Sequence, residues 1–210
     1  MAKLRGPLFS LSATGAIAKT LVYFGWKGLK VARQYVVPAN PKTSAQTTQR
    51  GYLTEAVAKI HSCEALATNA LDEDDQVAYA RWAGLFASPR TWFNQACKNW
   101  VDTLLNAKIP IIYSDGTISD PTANAIDIEM YINEKTGSTL AAGKFYFGDT
   151  PSSLIHSKAA TVTAGDNVKL TNEDCSAFLT AGTRYYVQFR PDAGDGCEGA
   201  HSGIYSFIAS

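Results

Sequence analysis

The amino-acid sequence predicts an α+β protein with an N-terminal β-hairpin and extended arm, central helices and a C-terminal antiparallel β-sandwich. Residues 16–37 carry β-branched and aromatic residues on both sides of a Gly-Trp-Lys-Gly turn. Residues 44–107 space apolar residues three or four apart, as helices do. From residue 108 onward, short alternating runs are separated by turn signals that contain glycine. We therefore expect two domains, residues 1–107 and residues 108–210.

The first predicted element is a hairpin that pairs residues 16–24 with residues 29–37. Pro38 ends the pairing because proline has no N–H to give to a strand ladder. Asn40 precedes Pro41, and a residue before proline is pushed away from the helical region into an extended conformation. We therefore expect a stiff, extended arm between the hairpin and the first helix.

Three helices are predicted in the middle of the chain. Thr43 or Ser44 is a suitable cap for the first, which the apolar spacing extends to about Leu71. Four consecutive acidic residues, 72–75, precede the second helix, where the helix dipole favours negative charge. Ser88 followed by Pro89 predicts the start of the third helix. Its apolar stripe consists of Trp92, Phe93, Ala96, Trp100 and Leu104.

The C-terminal half reads as a series of short strands. Isoleucine and methionine alternate with polar residues over residues 126–132, and Tyr185, Val187 and Phe189 share one face of a later run. Turn signals such as Ser-Asp-Gly and Ala-Gly-Asp separate these runs. Strands at this spacing predict an antiparallel sandwich of roughly 100 residues.

Charge is distributed unevenly although the net charge of the chain is zero. Residues 1–50 contain eight lysines and arginines and no acidic residue, while the remainder carries 11 basic and 19 acidic residues. A basic segment of this kind indicates an acidic partner, either nucleic acid or the acidic part of a neighbouring copy. Opposite charge at the two ends of a chain suits head-to-tail assembly.

The N-terminal segment is predicted to be part of the folded protein. Gly6, Pro7 and Ser10 interrupt its apolar residues, so we do not expect a signal peptide. No apolar run approaches the roughly 20 residues that a membrane helix needs. We expect no membrane partner.

The sequence offers no residue set that indicates catalysis or a cofactor. Recognised phosphate-binding, nucleophile-elbow and zinc-protease patterns are absent from it. The cysteines show no spacing typical of zinc ligands. Cys63 with Cys97 and Cys175 with Cys197 are conceivable disulfides, and four free buried thiols are the alternative. The three histidines, His61, His156 and His201, lie apart, and each is expected to have a structural or solvated role.

Two acidic clusters are candidate cation sites. Adjacent acids at 72–75 point in different directions on a helix and cannot converge on one ion, so a capped helix start is the preferred interpretation. Asp192, Asp195 and Glu198 lack the regular ligand spacing of a calcium loop, so a hairpin tip is preferred for residues 192–199. We therefore expect no metal.

The first quarter of the chain resembles the N-terminal segment of uncharacterised virion-associated proteins of tailed phages and prophages. The matching pattern is a Trp-Lys-Gly turn, a basic strand, a Pro-Ala-Asn-Pro-Lys-Thr stretch and a glutamine-rich helix start. In this chain its residues are Trp26, Lys27, Gly28, Arg33, Pro38, Asn40, Pro41, Lys42, Thr43, Gln46 and Arg50. The resemblance implies that the protein is made in the host cytoplasm and becomes part of the virion. It does not imply that the protein catalyses a reaction.

The C-terminal part, from about residue 108, resembles a fibronectin type III or immunoglobulin-like module. The run "AGTRYYVQFRP" is similar to a late strand of such folds. The Cys–Trp–Cys pattern of antibody domains is absent. Modules of this kind are common appendages on phage particles, but fold alone does not determine function.

Together these features favour a non-enzymatic structural protein of a phage particle, in the head, neck, tail or surface decoration. It would bind other virion proteins and copies of itself through its basic N-terminal arm and project an immunoglobulin-like module. The residues expected to bind the partner are Lys3, Arg5, Trp26, Lys27, Lys30, Arg33, Pro38, Asn40, Pro41, Lys42 and Arg50. Two alternatives are nucleic-acid binding by the basic N-terminal half and glycan or receptor binding by the tyrosine-rich sandwich.

Overall fold

A computed structural model describes residues 3–4, 13–17, 20–27, 29–37, 42–122, 125–135 and 140–210. The chain forms two compact units, Met1–Thr43 and Ser44–Ser210. The boundary expected between residues 107 and 108 does not separate these units. The reason is that the central helices pack on the strands that follow them and share a body with the sandwich.

The N-terminal unit contains a four-stranded antiparallel sheet in the order β1-β2-β3-β4. Its strands are β1 (Lys3–Leu4), β2 (Ala13–Ile17), β3 (Leu21–Trp26) and β4 (Leu29–Gln34). The pairing of β3 with β4, from Trp26 opposite Leu29 to Leu21 opposite Gln34, confirms the predicted hairpin. The run of residues 16–24, expected as one strand, spans the end of β2 and most of β3, with Thr20 in the turn between them.

Three helices begin the second unit: α1 (Ser44–Glu64), α2 (Glu73–Ala83) and α3 (Trp92–Leu105). They bury a core together with Leu71 of the loop after α1 and Ile112 of a later strand. The helical residues of this core are Ala56, Ile60, Cys63, Tyr79, Ala96, Cys97 and Trp100. Asp72 caps α2, and its side chain and that of Asp75 form a reciprocal capping box. The interpretation of residues 72–75 as a capped helix start is therefore confirmed.

Two helix ends differ from the sequence prediction. Helix α1 ends at Glu64 and not near Leu71, and Asn69 beyond it has a φ of 56°, a left-handed conformation that a helix does not contain. Helix α3 is capped by Thr91 and not by Ser88, because the Thr91 hydroxyl accepts a hydrogen bond from Asn94 N at 3.3 Å. Ser88 and Pro89 belong to the preceding loop.

The rest of the chain forms two four-stranded antiparallel sheets. One has the order β5-β6-β10-β9, with β5 (Ile111–Thr122), β6 (Ala125–Glu134), β9 (Thr161–Thr163) and β10 (Asn167–Glu173). The other has the order β12-β11-β7-β8, with β7 (Gly143–Gly148), β8 (His156–Ala159), β11 (Arg184–Pro191) and β12 (Tyr205–Ile208). Side chains of both sheets meet in one core, so the predicted sandwich is present.

The strand order matches that of immunoglobulin-type sandwiches. Lettering β5, β6, β7, β8, β9, β10, β11 and β12 as A, B, C, C′, D, E, F and G gives the sheets ABED and GFCC′. Tyr185, near the start of β11, accepts a hydrogen bond through its hydroxyl from Thr180 N at 3.1 Å. This contact reproduces the tyrosine corner of such sandwiches, where a tyrosine of strand F binds the backbone just upstream.

Asp75 joins the helices to the sandwich. Strand β5 shifts register between Ser114 and Thr117, which releases the N–H groups of Asp115 and Gly116 from the ladder. Both donate to the fully buried Asp75 carboxylate, at 2.7 and 3.0 Å, and the Tyr205 hydroxyl of β12 donates to it at 2.6 Å. Burial raises the pKa of Asp75, while these hydrogen bonds oppose the rise.

A second contact between helix and sandwich runs through the segment before β12. The backbone N–H of Ile204 donates to Ala78 O at 3.0 Å, and the Arg81 guanidinium donates to Ile204 O at 3.0 Å. A Cβ on Gly203 would lie 2.7 Å from the Ala78 side chain, so glycine permits this close approach. Helix α2 is therefore bound to the sandwich by backbone hydrogen bonds as well as by apolar packing.

His201 lies just ahead of that segment. Its backbone oxygen accepts from Asn99 Nδ2 at 3.1 Å, and its ring lies 5.9 Å from that of Trp82. Burial lowers the pKa of His201 to about 4, and the positive charge of Arg190 lowers it further. The folded protein therefore holds this imidazole in its neutral form at neutral pH.

All four cysteines are buried, and no disulfide joins them. Burial raises the pKa of Cys63 and of Cys175 to about 11. Neither of the disulfides that the sequence left open is formed. Among the described residues, no helix is both long enough and apolar enough to cross a membrane.

We expect Asp75→Asn to lower the free energy of unfolding by about 2–4 kcal/mol, because an amide nitrogen would face N–H donors that now have a carboxylate acceptor. Chemical denaturation followed by circular dichroism measures the loss. Asp74→Asn is the matched control, since Asp74 is the exposed neighbour, and it should change stability by less than about 0.5 kcal/mol. Equal effects of the two substitutions would contradict the structural role of Asp75.

His201 should make stability depend on pH. An unfolded histidine binds a proton near pH 6.5, whereas His201 in the folded protein does so near pH 4. Between these values the unfolded chain binds more protons, so stability falls as the pH falls. Relative to His201→Gln, the wild type should lose about 2 kcal/mol between pH 6.5 and pH 4. Equal slopes in wild type and His201→Gln would refute the assignment.

Candidate functional site: the N-terminal sheet

One face of the β3–β4 hairpin is apolar. Residues directly opposite each other on paired strands point to the same side of a sheet, so Val22, Phe24 and Trp26 share a face with Arg33, Val31 and Leu29. We call these six residues the apolar strand face. Apart from Arg33 they are all apolar, and Trp26 and Leu29 stand at the hairpin end.

The apolar strand face is exposed at its hairpin end, whereas Val22 and Phe24 are half-buried. Trp26 is 60% exposed and Leu29 is 69% exposed. Of the residues in the N-terminal unit whose side chains the structure describes, none is buried. Hydrophobic side chains on a sheet normally pack against a second layer, and a small sheet without one is marginally stable. This unit therefore presents an apolar surface suited to a partner.

Positive charge borders the same face. The Arg33 guanidinium lies 5.2 Å from the centre of the Phe24 ring, a cation–π contact that places the cation beside the apolar side chains. Lys27, exposed in the turn between Trp26 and Leu29, has a φ of 48°, a left-handed conformation that tightens the hairpin. A partner that covers the apolar residues would also meet cations at the hairpin turn and on β4.

The remaining predicted partner-binding residues are distributed as follows. Lys3 lies in β1 and Lys30 in β4, with side chains outside the described set. Arg5, Pro38, Asn40 and Pro41 lie outside the described residues, so the predicted arm is outside them as well. Lys42 is exposed and has a φ of 46°. Arg50 is exposed on α1.

The start of helix α1 forms a separate surface in the second unit. From Ser44 to Thr54, every residue except Tyr52 is exposed. A groove of about 430 Å³ follows, between α1 and α3, with Leu53, Cys97 and Val101 among its lining residues. Arg50 lines this groove of the second unit, whereas Trp26, Lys27 and Arg33 belong to the N-terminal sheet.

The acidic clusters and histidines have structural contacts. Among the described residues, no three histidine, cysteine or acidic side chains converge as metal ligands. The Asp195 carboxylate accepts from Ala141 N and Ala142 N, at 3.0 and 2.6 Å, and so fastens the loop after β11 to the start of β7. The His156 ring stacks on Phe178 at 4.6 Å between centroids. His61 pairs with Glu64 on the surface of α1.

The tyrosines of the sandwich divide between core and surface. Tyr113, Tyr185 and Tyr205 are buried, which leaves Tyr131, Tyr146 and Tyr186 half-buried. Arg190 lies 4.7 Å over the Tyr146 ring and covers part of it. Three of these six tyrosines therefore pack in the interior of the sandwich.

Reasoning from the sequence identified the charged residues of the N-terminal unit but missed the apolar strand face as a surface. The signal was present in the alternation of Val22, Phe24 and Trp26 along β3. Their shared side becomes visible once the register opposite Arg33, Val31 and Leu29 is known. Comparison of the chain with protein-family models and with curated proteins gave no match.

Proposed function

We propose that this protein is a structural component of a tailed-phage particle, in its head, neck, tail or surface decoration. It joins the assembly through the N-terminal unit and presents an immunoglobulin-like module. The observation that carries this proposal is the exposed hairpin end of the apolar strand face on a basic sheet. A surface of this composition is stabilised when another protein covers it.

The apolar strand face provides the main free energy of docking. Fully burying a large apolar side chain contributes about 1.5–3 kcal/mol, and Trp26 and Leu29 are both more than half exposed. Tryptophan and arginine are also the residue types that dominate binding energy in protein interfaces. Trp26 and Arg33 are therefore the expected anchors of the contact.

The charge distribution indicates an acidic partner surface. Residues 1–50 carry eight basic side chains and no acidic one, and residues 51–210 carry an excess of eight acidic side chains. A second copy of this chain therefore offers a surface of the opposite sign. A contact between the basic end of one copy and the acidic body of the next is heterologous, and it generates rings or filaments. The charges orient the encounter and speed it, while the apolar residues hold the complex.

The sequence between the sheet and α1 fits the same role. Pro38 and Pro41 restrict the backbone before any partner binds, so less conformational entropy is lost on docking. The resemblance to tailed-phage proteins covers the hairpin turn and this stretch. It supports a virion setting, and the immunoglobulin-type strand order suits a module carried on a particle surface.

Removing residues 1–43 should yield a folded protein that no longer assembles. Both apolar cores lie within Ser44–Ser210, so the truncated chain retains its packing. Circular dichroism should show a cooperative unfolding transition, and light scattering after gel filtration should show a monomer. The full chain should form oligomers or be incorporated into particles. Full incorporation of the truncated protein would refute the proposal.

A single substitution tests the apolar strand face directly. Trp26→Ala should weaken assembly by about 2 kcal/mol, which is roughly 30-fold, because a central aromatic anchor is removed. Leu105→Ala, at an exposed apolar residue of α3 in the other unit, should leave assembly unchanged. Analytical ultracentrifugation gives both dissociation constants. Equal affinity of Trp26→Ala and wild type would contradict a docking role for this face.

The nucleic-acid alternative predicts different behaviour. Phosphate contacts make affinity for DNA fall steeply as salt is added. Tight, strongly salt-dependent binding of the full chain to single-stranded DNA, with no self-association, would favour that alternative over assembly.

A further inference from the structure

A pocket of about 460 Å³ lies among α1, α3 and the end of β6. Its lining includes Glu55, Lys59 and Ser62 from α1, Trp100 from α3, and Glu134 and Lys135 at the end of β6. Pockets that bind small molecules have volumes of roughly 300–1,000 Å³. The whole pocket lies within Ser44–Ser210, so it does not involve the N-terminal sheet.

Three polar atoms on residues that line this pocket are buried without a hydrogen-bond partner among the described residues. They are the indole N–H of Trp100, Oε1 of Glu55 and Oε2 of Glu134. Trp100 is 1% exposed, so its donor is removed from bulk water. A buried polar group that lacks a partner destabilises the protein, because it has lost its hydrogen bonds to water and gained none in return. A molecule bound in this pocket would complete the hydrogen bonds of all three groups.

The charges around the pocket balance. Lys135 Nζ lies 2.7 Å from Glu55 Oε2 and neutralises that carboxylate. Lys59 also lines the pocket, so two carboxylates and two ammonium groups surround it. The site therefore has no net charge to attract an ion.

The three unpaired atoms define the chemistry of the ligand. The indole N–H needs an acceptor, and the two carboxylate oxygens need donors. An ammonium ligand or a metal cation offers the indole no acceptor, and a phosphate brings negative charge against the carboxylates of Glu55 and Glu134. A hydroxyl group both donates and accepts. We propose that this pocket binds a neutral polyhydroxyl compound, a sugar unit or a polyol, whose hydroxyls accept from Trp100 and donate to Glu55 and Glu134.

This carbohydrate-type site is lined by α1, α3 and the end of β6, and Tyr131, Tyr146 and Tyr186 are not among its lining residues. Trp100 acts there through its N–H group, since its ring is enclosed in the helical core and offers no open face for stacking. Ser62 adds a hydroxyl to the same wall, although its Oγ already donates to Lys59 O at 2.8 Å. Recognition therefore rests on hydrogen bonds around the ligand.

The test uses the full chain labelled with ¹⁵N and follows its tryptophan indole N–H resonances. Trp100→Phe removes one resonance and so assigns it. The probes are glucose, galactose, mannose, N-acetylglucosamine, inositol and glycerol, each titrated to millimolar concentration. We expect at least one of them to shift the Trp100 resonance saturably. Glu134→Gln should weaken that binding by about tenfold or more, because a carboxylate acceptor is lost.

Two controls make the outcome decisive. Glu198→Gln, at a half-exposed glutamate paired with Lys108 elsewhere on the surface, should leave the affinity unchanged. Glu55→Gln should weaken binding as Glu134→Gln does, with an unchanged circular dichroism spectrum. The proposal is overturned if no probe shifts the Trp100 resonance, which would indicate that water alone fills the pocket. It is also overturned if inorganic phosphate or a diamine shifts that resonance when the sugars and polyols do not.

Discussion

The second unit depends on one buried carboxylate. Asp75 accepts hydrogen bonds from its own helix cap, from two N–H groups that a bulge frees in β5, and from a tyrosine hydroxyl of β12. The Tyr205 hydroxyl is buried and the N–H groups of Asp115 and Gly116 are half-buried, so these donors depend on the carboxylate for their hydrogen bonds. The helix start, the strand irregularity and the edge strand therefore form together. A Cβ on Gly116 would lie 2.4 Å from the Tyr205 ring, so glycine is required where the bulge passes that ring.

This linkage explains why the helices belong to the sandwich. A sandwich edge exposes unpaired backbone groups, and α2 satisfies some of them through Ala78 and Arg81. Strand β5 therefore lies between the helices and the sandwich. Its Ile112 packs in the core of the helices, whereas Ile111 and Tyr113 pack in the core of the sandwich. The N-terminal sheet has no comparable layer among the described residues. The two units therefore differ: Ser44–Ser210 buries its apolar residues in its own cores, whereas Trp26 and Leu29 of the N-terminal sheet are largely exposed.

The sequence predicted elements better than it predicted the contacts between them. The hairpin, the capped start of α2 and the β-rich C-terminal half follow from local patterns of apolar spacing and turn residues.

The end of α1 was missed because the left-handed Asn69 interrupts a run whose composition still suits a helix. The contact between the helices and the sandwich could not be predicted, because Asp75 reads locally as a helix-start acid, and its bonds to β5 and β12 span 40 and more residues. The Trp100 pocket combines three elements, so no local pattern could reveal it. The cations of the candidate docking site could be predicted from the sequence. That its apolar residues share one side of the sheet could be seen only from the strand register.

The four enclosed thiols have a practical consequence. Cys63, Cys97, Cys175 and Cys197 are at most 5% exposed, and a buried cysteine reacts slowly with maleimides. A cysteine introduced on the outside of the native protein would then be the group that a dye or a gold cluster reaches first. A single label can therefore be attached at a chosen position of this protein. Microscopy can then locate that position in any complex that contains the protein.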